Sequence, residues 1–436
     1  MQKNLHEEFR LRCANSSGCV PYGVTRGEIT VRTRPAEISA ASGCVLRSEE
    51  GHEYLDFSNS FGSVVLGHAD PVVEAAVLEA VRAGIPAGLG YAVAVEVAER
   101  LARDLQQPYR VAVFNTGTVA VRACVLAAQK ATGRSRIVSA GFHGWDLMWE
   151  SATTAFGFSA HGICDFLYSP EALERILTKH ASEVAAVVLS PDYLHCTGRT
   201  LRSIAEITRR FGLFFIADEV KYGYRYNCGP SMGRLGIEAD VYVYAKGLAN
   251  GWPVACAIGQ DQLLDEMTTY VSTLTYAYPA LVAAKATLQR AEEIGARDSI
   301  AREAGRFVSA VREMLAAAAL PLAIAGDGSS FQFVAETPEL EAALLQTAYA
   351  ERLVFQPGDQ QLPSYAMRGE MVDRAVAAME KVVDQLASEF AHLRGMELTE
   401  RAWLEAAWSQ MDGLSDRPVA PELRQEFLQS KYATGE

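Results

Sequence analysis

The sequence is short of several things, and each shortage removes a class of function. Basic residues are in deficit: 40 Lys and Arg against 53 Asp and Glu leave a net charge of −13. Nucleic acid needs a basic face, so it is not the expected main partner, although a local cradle for a small phosphate remains open. No apolar run approaches the roughly 20 residues of a membrane span, and no membrane partner is expected. The opening stretch MQKNLHEEFRLRC is charged throughout and lacks the apolar core of a secretory signal. The eight cysteines are scattered without a C-x-x-C pair. Cys13 and Cys19 are close enough in sequence to pair, and the rest read as small core residues. This usage suits a reducing compartment, expected to be the cytoplasm, and leaves no metal site. There is no internal repeat and no low-complexity linker. No G-x-G-x-x-G follows the first strand, which argues against a nicotinamide dehydrogenase.

What is present is ample core material. The 436 residues are 49% hydrophobic and 21% charged, enough for one large or two unequal domains. Short strand-like runs at 29–32, 43–47 and 53–57 come first. Residues 70–83 then read as a helix with a proline in its first turn. From 95 to 258 apolar strands alternate with helices: strands at 111–114, 137–139, 184–189, 213–217, 240–244 and 254–258, helices at 95–105, 119–132, 170–180 and 203–211. Strands apolar throughout and separated by helices indicate an α/β fold with a mostly parallel central sheet covered on both faces. Beyond about 280 the pattern becomes helical, with an amphipathic helix at 372–393 and short strands near 324, 331–333 and 353–355. The expected division is an N-terminal segment of a smaller α+β domain at 1–65, a large domain at 66–290, and the remainder of the small domain at 291–436. Trp403, Leu404 and Trp408 recur at helical spacing in the tail, as a packing helix would.

In open parallel sheets ligands bind beyond the carboxyl ends of the strands. The residues that follow those ends are Asn115-Thr116-Gly117-Thr118 opening a helix, Gly141-Phe142-His143-Gly144, Asp218-Glu219, and Lys246. Each has a plain structural reading alone: a helix cap, a core aromatic, a turn-capping acid, a solvated lysine. Together they supply what a pyridine-phosphate cofactor needs. An amine attaches it covalently, an acid keeps its ring nitrogen protonated, an aromatic stacks on the ring, and a helix N-terminus binds its phosphate.

The motifs resemble those of the class III aminotransferase group of fold-type I pyridoxal-phosphate enzymes, especially glutamate-1-semialdehyde aminomutase and its relatives. The resemblance runs from about Gly43 to Leu386. It is carried by GHEYLDF at 51–57, LGHADP at 66–71, FNTGTVA at 114–120 and FHG at 142–144. FFIADEVKYGYR at 214–225, AKGLANGWPVACAIG at 245–259 and STLTYAYPALVAAKATL at 272–288 complete it. The resemblance implies pyridoxal 5′-phosphate as cofactor and Lys246 as the Schiff-base lysine that acts as general base and acid. It implies Asp218 at the pyridinium nitrogen, Phe142 stacked on one ring face and Val220 on the other. Gly117 and Thr118 would bind the phosphate. Thr273 would reach the phosphate of the neighbouring subunit, which implies an obligate homodimer with shared sites.

Several positions depart from the family pattern. Val119 stands where a glutamate is usual, Lys221 where glutamine or methionine is usual, Ser190-Pro191 where Glu-Pro is common, and Ser364–Met367 near the family's SxAH. A lysine at 221 would put a cation near the cofactor's phenolic oxygen, unless its chain snorkels away. No arginine is clearly positioned for a substrate carboxylate; Arg225 matches a family arginine whose role can equally be structural. The expected activity is amino transfer between an amino donor and a carbonyl substrate, with an amino or keto sugar or another secondary metabolite as the leading class. The same residues can serve an aminomutase, an epimerase or a dehydrating enzyme. A non-catalytic scaffold is the reading from a different class, and the full Lys–Asp–Thr set opposes it.

Overall fold

The computed structural model describes residues 38–84, 91–103, 105, 110–144, 146–150, 157–194, 196–267, 270, 274–399, 402–403 and 406. The strand expected at 29–32, Cys13, Cys19, Thr273, Leu404 and Trp408 lie outside the described residues. The chain begins with an antiparallel meander, β1 (Ile38–Ser42), β2 (Val45–Ser48) and β3 (Glu53–Asp56). Helix α1 (Pro71–Ala83) starts where the Asp70 side chain accepts from the Val72 and Val73 amides. Pro71 sits in the first turn, where a missing N–H is harmless. Helix α2 (Ala92–Arg103) buries Val93, Val97 and Leu101 on one stripe.

The central alternation follows: β4 (Arg110–Phe114), α3 (Gly117–Thr132), β5 (Arg136–Ala140), β6 (Ile163–Asp165), α4 (Pro170–His180), β7 (Val184–Leu189), α5 (Gly198–Arg210), β8 (Phe214–Asp218), β9 (Val241–Tyr244), β10 (Ala255–Gly259) and α6 (Asp261–Met267). Strand β6 was not expected, because three residues carry no readable period. Helices α3 and α5 start two and five residues earlier than their apolar stripes suggest, because Thr116 and Thr197 cap them upstream of the apolar residues.

The strands form one sheet in the order β4-β10-β9-β8-β7-β5-β6. The pairs from β6 to β9 are parallel, and β10 runs antiparallel to both its neighbours. Residues 245–254 are too few for a crossover, so the chain can only turn back on itself there. Every residue of β7 is buried. Val187 and Leu189 pack into one cluster and Ala186 and Val188 into another, so the two-residue period feeds a core on each face.

The rest of the chain is α7 (Tyr278–Glu293), α8 (Ala296–Ala318), β11 (Leu322–Gly326), β12 (Phe331–Ala335), α9 (Pro338–Ala350), β13 (Leu353–Val354) and α10 (Glu370–Glu389). Strand β13 pairs in parallel with β3, matching Leu353 to Leu55 and Val354 to Asp56. Phe57, Phe307, Phe331 and Phe355 form the aromatic centre of this part. Helix α10 lays Val372, Met379, Val383 and Leu386 against it. Among the described tail residues Ala402 packs against Ala325 and Val334, with Leu398 and Ala406 beside it, while Trp403 is exposed.

Candidate active site

The carboxyl ends of β4, β5, β7, β8 and β9 open onto a cavity of about 360 Å³, within the range of small-ligand sites. Gly117, Thr118, Phe142, Asp218, Val220 and Lys246 all line it. Thr273 is the one candidate not described. Its neighbour Leu274 is tied to the same edge, since the Asn115 side-chain amide donates to the Leu274 carbonyl at 2.7 Å.

Lys246 opens a single 3₁₀ turn directly after β9, with φ of +49°. A side chain in the left-handed region costs about 1–3 kcal/mol, and such strain gathers at functional sites. Lys246 is partly buried and lines the cavity, whose walls strip water from the amine. Burial pushes its pKa down to about 8, the Lys221 charge adds to this, and Asp359 and Asp218 oppose it. Against its usual 10.5, that raises the neutral, nucleophilic fraction near pH 7 by roughly 300-fold.

Asp218 ends β8 and is buried, as is His143. His143 Nδ1 lies 2.9 Å from Asp218 Oδ2, and Asp218 Oδ1 accepts from the Val220 amide at 3.2 Å. An ionised carboxylate can only accept, so this bond puts the imidazole proton on Nδ1. His143 Nε2 is buried with no partner, and the ring stacks at a tilt on Trp149 with 4.7 Å between centroids. Glu219, next in sequence, turns away and bonds the Ser231 hydroxyl and the Met232 amide. Burial raises its pKa to about 7 against the pull of those donors.

The anion cradle is built from close backbone approaches. Thr116 caps α3 with its side chain on the Val119 amide, which leaves the Gly117 and Thr118 amides, the first of the helix, without intrahelical partners. A Cβ on Gly117 would stand 2.7 Å from Val220 Cγ2. Gly144 has φ of +96°, and a Cβ there would stand 2.8 Å from Thr118 Cβ. Gly144→Ala is therefore expected to lower unfolding free energy by about 1–3 kcal/mol, read from chemical denaturation midpoints. A change within a few tenths of a kcal/mol would mean the loop relaxes freely.

One feature was not foreseen. Lys221 reaches across the cavity wall to Asp359, Nζ to Oδ1 at 2.7 Å, both side chains largely buried. Asp359 and Gln360 also line the cavity, from the loop that follows β13. Gly358 beside Asp359 signals a turn, but nothing in the sequence marks a partner 138 residues away. No arginine lines the cavity among the described residues. Arg225 lies beneath, donating to the Pro363 carbonyl at 2.8 Å and the Gly62 carbonyl at 3.4 Å, with burial lowering its pKa to about 10. Val119 is exposed rather than cavity-lining, and Met367 belongs to the aromatic core near β13.

Residues 29–383 match the family described as aminotransferase class-III. The chain belongs to the class III aminotransferases. A 2'-deamino-2'-hydroxyneamine transaminase from Streptomyces kanamyceticus is 32% identical over 330 residues, covering 72% of this chain and 82% of that protein. A glutamate-1-semialdehyde 2,1-aminomutase from Leptospira interrogans is 30% identical over 280 residues, covering 59% and 63%. Among solved structures, a transaminase with pyridoxal phosphate bound superposes with a TM-score of 0.76 at 22% identity, over 88% of this chain and 98% of that one. An omega-transaminase from Sphaerobacter thermophilus gives 0.75 at 22%, over 84% and 95%. The aminotransferase has the α/β architecture of fold-type I enzymes, and its cofactor is pyridoxal 5′-phosphate. The cavity suits that group. It offers one low-pKa amine, one buried carboxylate braced by a histidine, and a glycine-walled helix start with free amides. No group of His, Cys, Asp and Glu that could hold a metal occurs among the described residues.

Proposed function

We propose that this aminotransferase moves an amino group between an amino donor and an uncharged carbonyl substrate of the amino- or keto-sugar class, as part of secondary metabolism. One observation carries the substrate class: among the described residues, the cavity that holds Lys246 and Asp218 is lined by Ser, Asn, Thr and Tyr side chains but by no arginine. Hydroxyl-rich substrates match such donors and acceptors, whereas a carboxylate would go without its bidentate partner. The deaminohydroxyneamine transaminase among the relatives points the same way.

In this reading Lys246 attaches the cofactor covalently. Gly117 and Thr118 hold its phosphate at the start of α3, Phe142 and Val220 hold the ring between them, and Asp218 sits at the ring nitrogen. When bound, the cofactor supplies an electron sink that stabilises negative charge at the substrate carbon. The chain does the rest. Asp218, oriented by His143 and the Val220 amide, presents a fixed negative charge where the ring nitrogen must stay protonated. Lys246, once released, takes the proton from the amine-bearing carbon and holds it for return to a neighbouring atom. Thr273 from a second copy would complete the phosphate site, so the working unit is a homodimer, in the cytoplasm. Exposed Val119, Leu274 and Tyr276 give such a copy apolar surface to cover.

The test is a single half-reaction followed by cofactor absorbance, with a panel of amines. Amino sugars are expected to exceed α-amino acids in kcat/KM by about tenfold or more, the worth of a missing charge-assisted pair. Equal or better α-amino acids would overturn the substrate class. Solvent-proton exchange with no net amino transfer would point to isomerisation instead.

A further inference from the structure

We propose that Lys221, tethered by Asp359, is a positioning residue that keeps the amine of Lys246 in its reactive neutral form by holding a second positive charge on the same cavity wall. The tether is rigid. Asp359 Oδ1 accepts from both Lys221 Nζ and the Gln360 amide, each at 2.7 Å. Its loop is locked by Gln361, whose side chain bonds the Gln356 amide and carbonyl, each at 2.8 Å, and the Asp359 carbonyl at 3.0 Å. Lys221 and Asp359 keep 19% and 15% of their side-chain surface, so their pairing is shielded from bulk water and salt. Burial pushes the Asp359 pKa up, but the Lys221 charge and hydrogen bond outweigh it, so the carboxylate stays ionised beside the lysine.

The charged groups facing Lys246 are Lys221, Asp359, Asp218 and Arg225. Asp218 is engaged by His143, and Arg225 is held by two carbonyls below the cavity. Of the remaining titratable lining, Tyr168 donates to the Ser190 carbonyl, Tyr222 bonds Gln360, and Asp192 accepts from the Leu194 amide. Attachment to the cofactor uses the lone pair of a neutral amine. The N–C bond forms, the aldehyde C=O bond breaks, and the oxygen leaves as water with both amine hydrogens. A nearby fixed cation disfavours the protonated amine and so widens the pH range over which this can happen. With Lys221 removed, Asp359 would instead turn its full charge on Lys246 and stabilise the ammonium.

The inference rests on Lys246 being the attachment residue, and the experiment separates the two. The full chain is stripped of cofactor, and the rate of pyridoxal-phosphate capture is followed by absorbance across pH. Borohydride reduction and peptide mapping then locate the label. Wild type should show a rate rising through about pH 8, as the Lys246 amine loses its proton. Lys221→Met is expected to move that midpoint up by about one pH unit, a tenfold loss of capture rate at pH 7, while Lys221→Arg keeps it within a few tenths. Lys221→Gln, which can still bond Asp359, serves if the Met variant fails to fold and should shift in the same direction. A label on Lys246 with midpoints unchanged in the neutral variants, or moved equally in Arg, overturns the role of Lys221 alone. A label elsewhere overturns both.

Discussion

Replacing Lys246 by alanine is expected to lower turnover by roughly 10,000-fold or more, while the protein still binds cofactor and folds normally. Three observations set the size of the effect. Among the described residues Lys246 supplies the only lysine amine on the cavity wall apart from Lys221, whose Nζ is committed to Asp359 at 2.7 Å. Its pKa of about 8 suits it to both accept and return a proton near neutrality. Its backbone at φ +49° aims it from the end of β9, so no neighbour can replace it by a rotamer change. The substitution also leaves folding nearly untouched, because it removes an amine whose charged form the cavity already disfavours. The check is cofactor titration of the variant beside single-turnover assays, with added small primary amines as a rescue arm. Activity within tenfold of wild type would remove Lys246 from the mechanism.

Asp218→Asn is expected to lower turnover by about 100- to 1000-fold with a much smaller loss of cofactor affinity. The carboxylate has two bonds to keep, one to His143 and one to the Val220 amide. An asparagine can keep its oxygen on the Val220 amide and turn its NH₂ toward His143, provided the imidazole moves its proton to Nε2. The pocket can accept that change, because Nε2 is buried with no partner to lose. The fold therefore survives, while the fixed negative charge is gone. Asp218→Ala should do more, since it strands His143 as well. An Asn variant as active as wild type would mean that the charge at this position does not act on the cofactor.

Much of this site was legible because parallel α/β sheets deliver their chemistry at strand ends, and strand ends can be read from apolar runs. Val184–Leu189 and Phe214–Asp218 are so uniformly apolar that the carboxylate at their edge stands out. Helix starts were less legible, since caps such as Thr116 and Thr197 precede the apolar stripe that reveals the helix. The antiparallel course of β10 was hidden for a different reason: a buried strand looks the same in either direction, and only the short 245–254 connection decides it. The Lys221–Asp359 pair could not have been read at all. Lys221 stands out only as a departure from the family pattern and Asp359 not at all, and what joins them is the docking of the β13 loop on the sheet edge.

The pairing of β3 with β13 carries a consequence for how the chain reaches this state. Leu55 pairs on one side with β2, but the partner that it and Asp56 take on the other side is not made until Leu353 and Val354 exist. Arg352 reinforces the join, bonding the Tyr54 hydroxyl at 2.6 Å across a separation of 298 residues. During synthesis the leading meander must therefore wait, its edge exposed, while the whole seven-stranded sheet is completed behind it. So distant a closure is slow, and an unpaired edge is the kind of surface that chaperones and aggregates both capture. Yield in the cell should therefore depend more on the interval between those two strands than on the stability of the finished enzyme.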